Sequence, residues 1–161
     1  RVSDEPRDTV MLVDDEEMVV RSLEGFLTLE TSYRIVTYCS PVEALEAAAE
    51  EPSLRVVVAD FMMPEMDGVS FLKRMRQVQP EATRLLLTGY ADKENAIRAI
   101  NEAGLYYYLE KPWDNEHLKL VVRNGVERSS LFNELSSRVS ALEAAHAELA
   151  GFRERLVKAF L

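Results

Sequence analysis

Five polar residues stand at the ends of apolar runs in this chain. Asp14 and Asp15 follow Val10–Val13, Asp60 follows Val56–Ala59, Thr88 follows Leu85–Leu87, and Lys111 comes just after Tyr106–Leu109. An apolar run tends to be buried, whereas adjacent carboxylates repel each other and resist leaving water. A few carboxylates brought together suit a hard divalent cation such as Mg²⁺, which takes oxygen ligands and keeps several waters. Each residue alone has a plainer reading. The pair Asp14–Asp15 serves equally well as a helix cap, Asp60 and Thr88 as turn residues, and Lys111 as a solvated charge. Glu16 and Glu17 fit the first turn of a helix, where its dipole favours acids.

The elements that must position these groups are legible. Short apolar runs (the four above and Ile35–Tyr38) alternate with amphipathic stretches at Met18–Leu29, Val42–Glu50, Val69–Val78, Glu94–Ala103 and one opening near Asn115. Nearly continuous apolar strands imply a parallel sheet covered on both faces. Ser40, Pro41 and Glu43 form a capping box, Asp92 and Asp114 can cap the next two helices, and Gly104 is placed to end the helix before the last strand. Five strand-then-helix units predict an α/β fold, a doubly wound five-stranded parallel sheet in the order 2-1-3-4-5 with helices on both faces. Ligands bind such sheets beyond the carboxyl ends of the strands, which brings all five polar residues to one edge.

With these residues, the "MPEMDG" after Asp60 and the Lys111-Pro112 pair in register, the sequence resembles the response-regulator receiver family, the phosphoacceptor half of two-component signalling. The resemblance covers about residues 8–128. It implies that Asp60 takes a phosphoryl group from a sensor histidine kinase or phosphotransfer protein. An incoming anion is repelled by a carboxylate, and a divalent metal removes that obstacle. By resemblance, Mg²⁺ is held by Asp15, Asp60 and the Met62 backbone carbonyl, with Asp14 acting through water. Lys111 pairs with one phosphoryl oxygen, Thr88 hydrogen-bonds another, and a cis Lys111-Pro112 bond aims the lysine. Tyr108 matches the aromatic switch that follows Thr88 inward, whereas Tyr106 and Tyr107 reflect strand propensity. Met62 and Tyr90 flank the path of the hydrolytic water in the family. The convergence of all five core residues favours this reading over the separate plain ones.

Beyond the receiver, Leu135, Leu142, Leu149 and Leu156 recur every seven residues. With these at d, the a positions are Phe132, Val139, His146, Arg153 and Phe160. The narrow stripe predicts a parallel dimeric coiled coil, with Arg138 at g attracting Glu143 at e of the partner. Asn124-Gly125 is a turn signal, yet a continuous helix from Asn115 is expected. His146, at a buried a position, is not expected to act in phosphotransfer. The expected organisation is a flexible leader over 1–8, a receiver over 9–128 and a coiled-coil linker helix over 129–161. A chain beginning at Arg1 and running past the receiver points to a piece of a longer protein, its output domain beyond Leu161.

The formal net charge of −9 and the absence of a basic surface argue against nucleic-acid binding. No apolar run reaches membrane-span length, and the single cysteine, Cys39, fits a half-buried strand end in a reducing, cytoplasmic setting. The leading expectation is a phosphoacceptor signalling module rather than a turnover enzyme. The alternatives are a Mg²⁺-dependent phosphohydrolase with an aspartyl-phosphate intermediate and a structural dimerisation module.

Overall fold

In the computed structural model, which describes residues 7–89 and 93–160, five strands form one sheet. They are β1 (Thr9–Val13), β2 (Arg34–Tyr38), β3 (Leu54–Asp60), β4 (Thr83–Thr88) and β5 (Tyr107–Glu110), ordered β2-β1-β3-β4-β5 and paired in parallel throughout. The helices are α1 (Glu17–Glu30), α2 (Pro41–Ala48), α3 (Gly68–Val78), α4 (Lys93–Glu102) and α5 (Asn115–Phe160). This is the expected doubly wound fold.

The sheet has a core on each face. Val10, Leu12, Val56, Val58, Leu85 and Leu87 pack with Leu23 and Leu27 of α1 and Leu118 and Val122 of α5. Met11, Val13, Val57, Ala59 and Leu86 face Ala44 of α2, Phe71 and Leu72 of α3, and Ala96 and Ala99 of α4. Successive side chains point to opposite faces, so strands covered on both sides must be apolar at every position. β2 lies at the sheet's edge and is only partly buried. Cys39, just past its end, is exposed rather than half-buried, because no further strand covers that edge.

Local signals set the joints. Ser40 Oγ accepts from Glu43 N at 3.4 Å with Pro41 at the first helical position, and Asp67 caps α3 by accepting from Ser70 N at 2.8 Å. Asp114 accepts from Glu116 N at 3.0 Å. Gly104 follows α4 with φ +62°, a left-handed conformation that glycine adopts without strain. α2 stops two residues short of the expected Glu50, since Pro52 disfavours a helical residue before it. Tyr106 lies outside β5, its N–H spent on the Arg84 carbonyl at 2.9 Å.

The Asn124-Gly125 pair does not break α5. Gly125 is there for closeness: a Cβ would come within 3.1 Å of Val56 Cγ2 and 3.2 Å of Thr83 Cγ2, and Thr83 Oγ1 donates to the Gly125 carbonyl at 2.7 Å. Of the leader expected over 1–8, only Arg7 and Asp8 are described. Asp8 is engaged, accepting from Arg34 N at 2.9 Å and pairing with Arg55 at 3.0 Å. The expected cap at Asp92 and the side chain of Tyr90 lie outside the described residues.

The chain divides into two compact units between Ser129 and Ser130. In the second, the leucines at d, together with Phe132, Val139 and Phe160, are exposed in the single chain. So are Leu131 and Phe152 at g and Val157 at e, which makes the apolar face wider than a strict a/d stripe. Arg138 pairs with Glu134 on its own helix at 2.8 Å.

Candidate functional site

Asp14, one residue past β1, is 1% exposed, and Asp60, the last residue of β3, is 4% exposed. Asp15 beside them is exposed. β1 and β3 are neighbours in register Val13↔Ala59, so the residues that follow each strand are side by side. One carboxylate oxygen from each of Asp14, Asp15 and Asp60 can be chosen so that all lie within 4.8 Å of one another. Asp14 Oδ1 accepts from Glu16 N at 2.9 Å, so the same carboxylate also serves the turn into α1. Its helix-entry role and its place in the cluster are compatible.

Lys111 closes the group. Its Nζ lies 2.8 Å from Asp60 Oδ1 and 3.5 Å from Asp14 Oδ2, and its peptide bond to Pro112 is cis. Its backbone N–H donates to the Thr88 carbonyl at 2.8 Å, tying the lysine's loop to the end of β4. Thr88 is fully buried, and its Oγ1 makes a 3.5 Å hydrogen bond to the Leu109 carbonyl. That is a long bond for a hydroxyl. Tyr108 is half-buried and packs against the core on the α2–α4 face, across from Leu86. Met62 is 65% exposed, on the loop after Asp60.

The electrostatics are those of an under-neutralised acidic site. Burial, followed by the Asp60 charge, raises the Asp14 pKa to about 6 against the opposing Glu16 and Lys111 contacts. Burial likewise pushes Asp60 up, with Asp15 and Glu16 adding to it and Lys111 opposing. Burial would lower Lys111, but its hydrogen bond to Asp60 and the charges of Asp14 and Asp60 outweigh this and raise it. Three carboxylates against one ammonium leave negative charge that a divalent cation can offset, and an all-oxygen donor set suits Mg²⁺.

Gly68 belongs to the site and was not singled out from the sequence. A Cβ there would collide with the Asp60 carbonyl oxygen and lie 2.8 Å from Leu86 Cδ1, while Gly68 N donates to the Phe61 carbonyl at 2.9 Å. The Asp67-Gly68 pair at a helix entry was the available signal.

The sequence profile of the response regulator receiver domain matches residues 10–123. The chain belongs to this family. This receiver is 40% identical over 123 residues to the hydrogenase transcriptional regulatory protein HoxA of Cupriavidus necator, covering 76% of this chain and 25% of that protein. It is 33% identical to the regulatory protein AtoC of Escherichia coli, covering 84% and 29%. The chain thus spans about a quarter of the length of such relatives. Among solved structures it resembles the signal receiver domain of an HD domain-containing protein from Pseudomonas fluorescens (TM-score 0.75, 32% identity, covering 83% and 97%). It also resembles a receiver domain protein from Clostridium thermocellum (TM-score 0.72, 29% identity, covering 77% and 98%). Receivers are signalling domains that bind Mg²⁺ at an acidic aspartate pocket and take phosphate from histidine kinases. No helix among the described residues is long and apolar enough to cross a membrane.

Proposed function

We propose that this receiver accepts a phosphoryl group on Asp60 from a phosphohistidine of a kinase or phosphotransfer protein. An Asp60 carboxylate oxygen attacks phosphorus, an O–P bond forms, and the imidazole nitrogen leaves with the electrons of the broken N–P bond. Asp15, Asp60 and the Met62 carbonyl would hold Mg²⁺, with Asp14 contributing through water. The ion supplies charge neutralisation that admits the anionic donor. Lys111, already on Asp60, moves onto a phosphoryl oxygen, and Thr88 turns its weakly held hydroxyl to another. Tyr108 follows Thr88 inward as the switch. The observation that carries this reading is the 2.8 Å Lys111–Asp60 contact beside two further carboxylates.

The same reading extends past the site. The receiver, over 9–128, passes the signal through a homodimeric coiled coil over 129–161 to an output domain beyond Leu161. The names of the relatives make a transcriptional output the natural choice. The module is cytoplasmic and acts by occupancy rather than turnover.

Incubation with acetyl phosphate and Mg²⁺, read by intact mass, tests the assignment. One phosphoryl group per chain is expected, lost in Asp60→Asn and on chelation of the metal. Full incorporation in Asp60→Asn, or steady turnover of unrelated phosphate esters, would overturn it, the latter in favour of a hydrolase.

A further inference from the structure

At the opposite edge of the sheet from Asp60, near the start of β4, Arg84 is 5% exposed. Its Nε donates to the Ala103 and Gly104 carbonyls at 2.9 and 3.3 Å, and its Nη1 to those of Pro80 and Ala82 at 3.3 and 3.0 Å. Neutral carbonyls therefore occupy the Nε and Nη1 donors, and no hydrogen bond of Nη2 is found among the described residues. Nη2 is directed towards Gly104. A Cβ built on Gly104 would come 3.1 Å from Arg84 Nη2 and 3.3 Å from Nη1 of Arg76, which belongs to α3. Two guanidinium groups from different elements reach the same point.

Among the described residues, no carboxylate forms an ion pair with either arginine. Glu102, the last residue of α4, is engaged by Lys73 at 4.0 Å and Arg98 at 3.8 Å. Burial, with the charges of Arg76 and Arg128, lowers the Arg84 pKa to about 10. Arg128 sits over the Tyr106 ring, 5.0 Å from its centroid. A buried cation facing other cations is costly unless an anion offsets it. It is the more notable in a chain of net charge −9.

We propose that Arg76 and Arg84 form a binding site, beside Gly104, for a tetrahedral oxyanion of the phosphate class. Charge-assisted N–H···O bonds of about 2.8 Å from each side let one anion bridge the two groups. A tetrahedral anion presents oxygens in several directions, which suits N–H donors arriving separately from α3 and β4. A planar carboxylate is matched by a single fork. The carbonyls that would repel the anion are already turned to Arg84 Nε and Nη1. Glycine at 104, with no Cβ, lets both guanidinium groups come close to the backbone at the end of α4. The bound anion joins the end of α3 to the end of α4, a long way round from the aspartates, and the site is independent of phosphorylation.

The test is a pyrophosphate titration of the 161-residue chain at fixed ionic strength with EDTA present, followed by amide NMR. Shifts at Ala103 and Gly104 are expected in the parent chain and equally in Asp60→Asn, which removes the phosphoacceptor. Arg76→Gln, an exposed substitution that should leave the fold intact, is expected to weaken binding about tenfold. Malonate, run in parallel, should bind distinctly more weakly. Absence of shifts at Gly104, shifts confined to the aspartate edge, or undiminished binding in Arg76→Gln would overturn the site. Equal binding of malonate would overturn the phosphate-class assignment.

Discussion

The two edges of this sheet both hold like charges close together, and they compensate them differently. At the carboxyl edge, Asp14 and Asp60 share the ammonium of Lys111. At the amino edge, Arg84 is met by four carbonyls of the α3–β4 turn and the end of α4. Compensation by a titrating side chain can be displaced by an ion or a proton. Compensation by backbone dipoles is fixed once the chain has folded. The first edge is therefore suited to exchange, and the second, at Arg84 Nε and Nη1, to fastening elements together.

If that distinction holds, the largest stability loss should come from the fastened edge. Arg84→Met leaves the buried Ala103 and Ala82 carbonyls without their donor, at about 1–3 kcal/mol for an unsatisfied group. A destabilisation of about 3 kcal/mol is expected in urea unfolding, and an unchanged midpoint would break the comparison.

The opposite sign is expected at the exchangeable edge. Asp14→Asn should stabilise the metal-free chain at pH 7 by on the order of 2 kcal/mol, by removing a carboxylate whose pKa burial has raised to about 6. It should also weaken Mg²⁺ binding, read by the change in melting temperature with added metal. The pH dependence has the same origin. A raised carboxyl pKa contributes stability that is full below the unfolded value of 3.8 and is lost as pH rises through about 6. Metal-free protein should thus melt at a higher temperature at pH 5 than at pH 7, other groups being equal, and Mg²⁺ should narrow or reverse that order. Melting curves that rise steadily from pH 5 to 7 without metal would contradict it.

Gly125→Ala provides the small effect between the edges. The gain in helix propensity, about 1 kcal/mol, is opposed by contacts of 3.1 and 3.2 Å with Val56 and Thr83, side-chain atoms with limited room to yield. A net change under about 1 kcal/mol is expected by thermal unfolding.

Most of the fold was legible because the strands are nearly continuous apolar runs and the turns carry Pro41, Asp114 and Gly104 where their chemistry is needed. The acidic edge was legible for a related reason: polar residues directly after apolar runs must meet where parallel strands end together. The amino edge was not. Arg84 looks like any strand arginine, and only the folded chain brings carbonyls from Pro80 to Gly104 around it. The continuous helix through Gly125 was expected, but the reason for the glycine was not legible. A glycine required by a neighbour 42 residues away looks, in sequence, like one required by a turn. The breadth of the face bearing Leu131, Phe152 and Val157 was underweighted because the four regularly spaced leucines dominate the pattern.

Gly68 has one more consequence. With no side chain, it lets the Asp60 carbonyl rest directly against the start of α3, and its N–H clasps the Phe61 carbonyl. The backbone of the proposed nucleophile is therefore the fixed jaw of a vice. Across from it, among the described residues, the Thr88 side chain makes a long 3.5 Å hydrogen bond to the Leu109 carbonyl, and Lys111 Nζ rests on Asp60 at 2.8 Å. That is the sliding jaw. If a group is added to Asp60, the residue's backbone stays pinned against the start of α3, and the adjustment expected lies with Thr88 of β4 and Lys111 beyond β5.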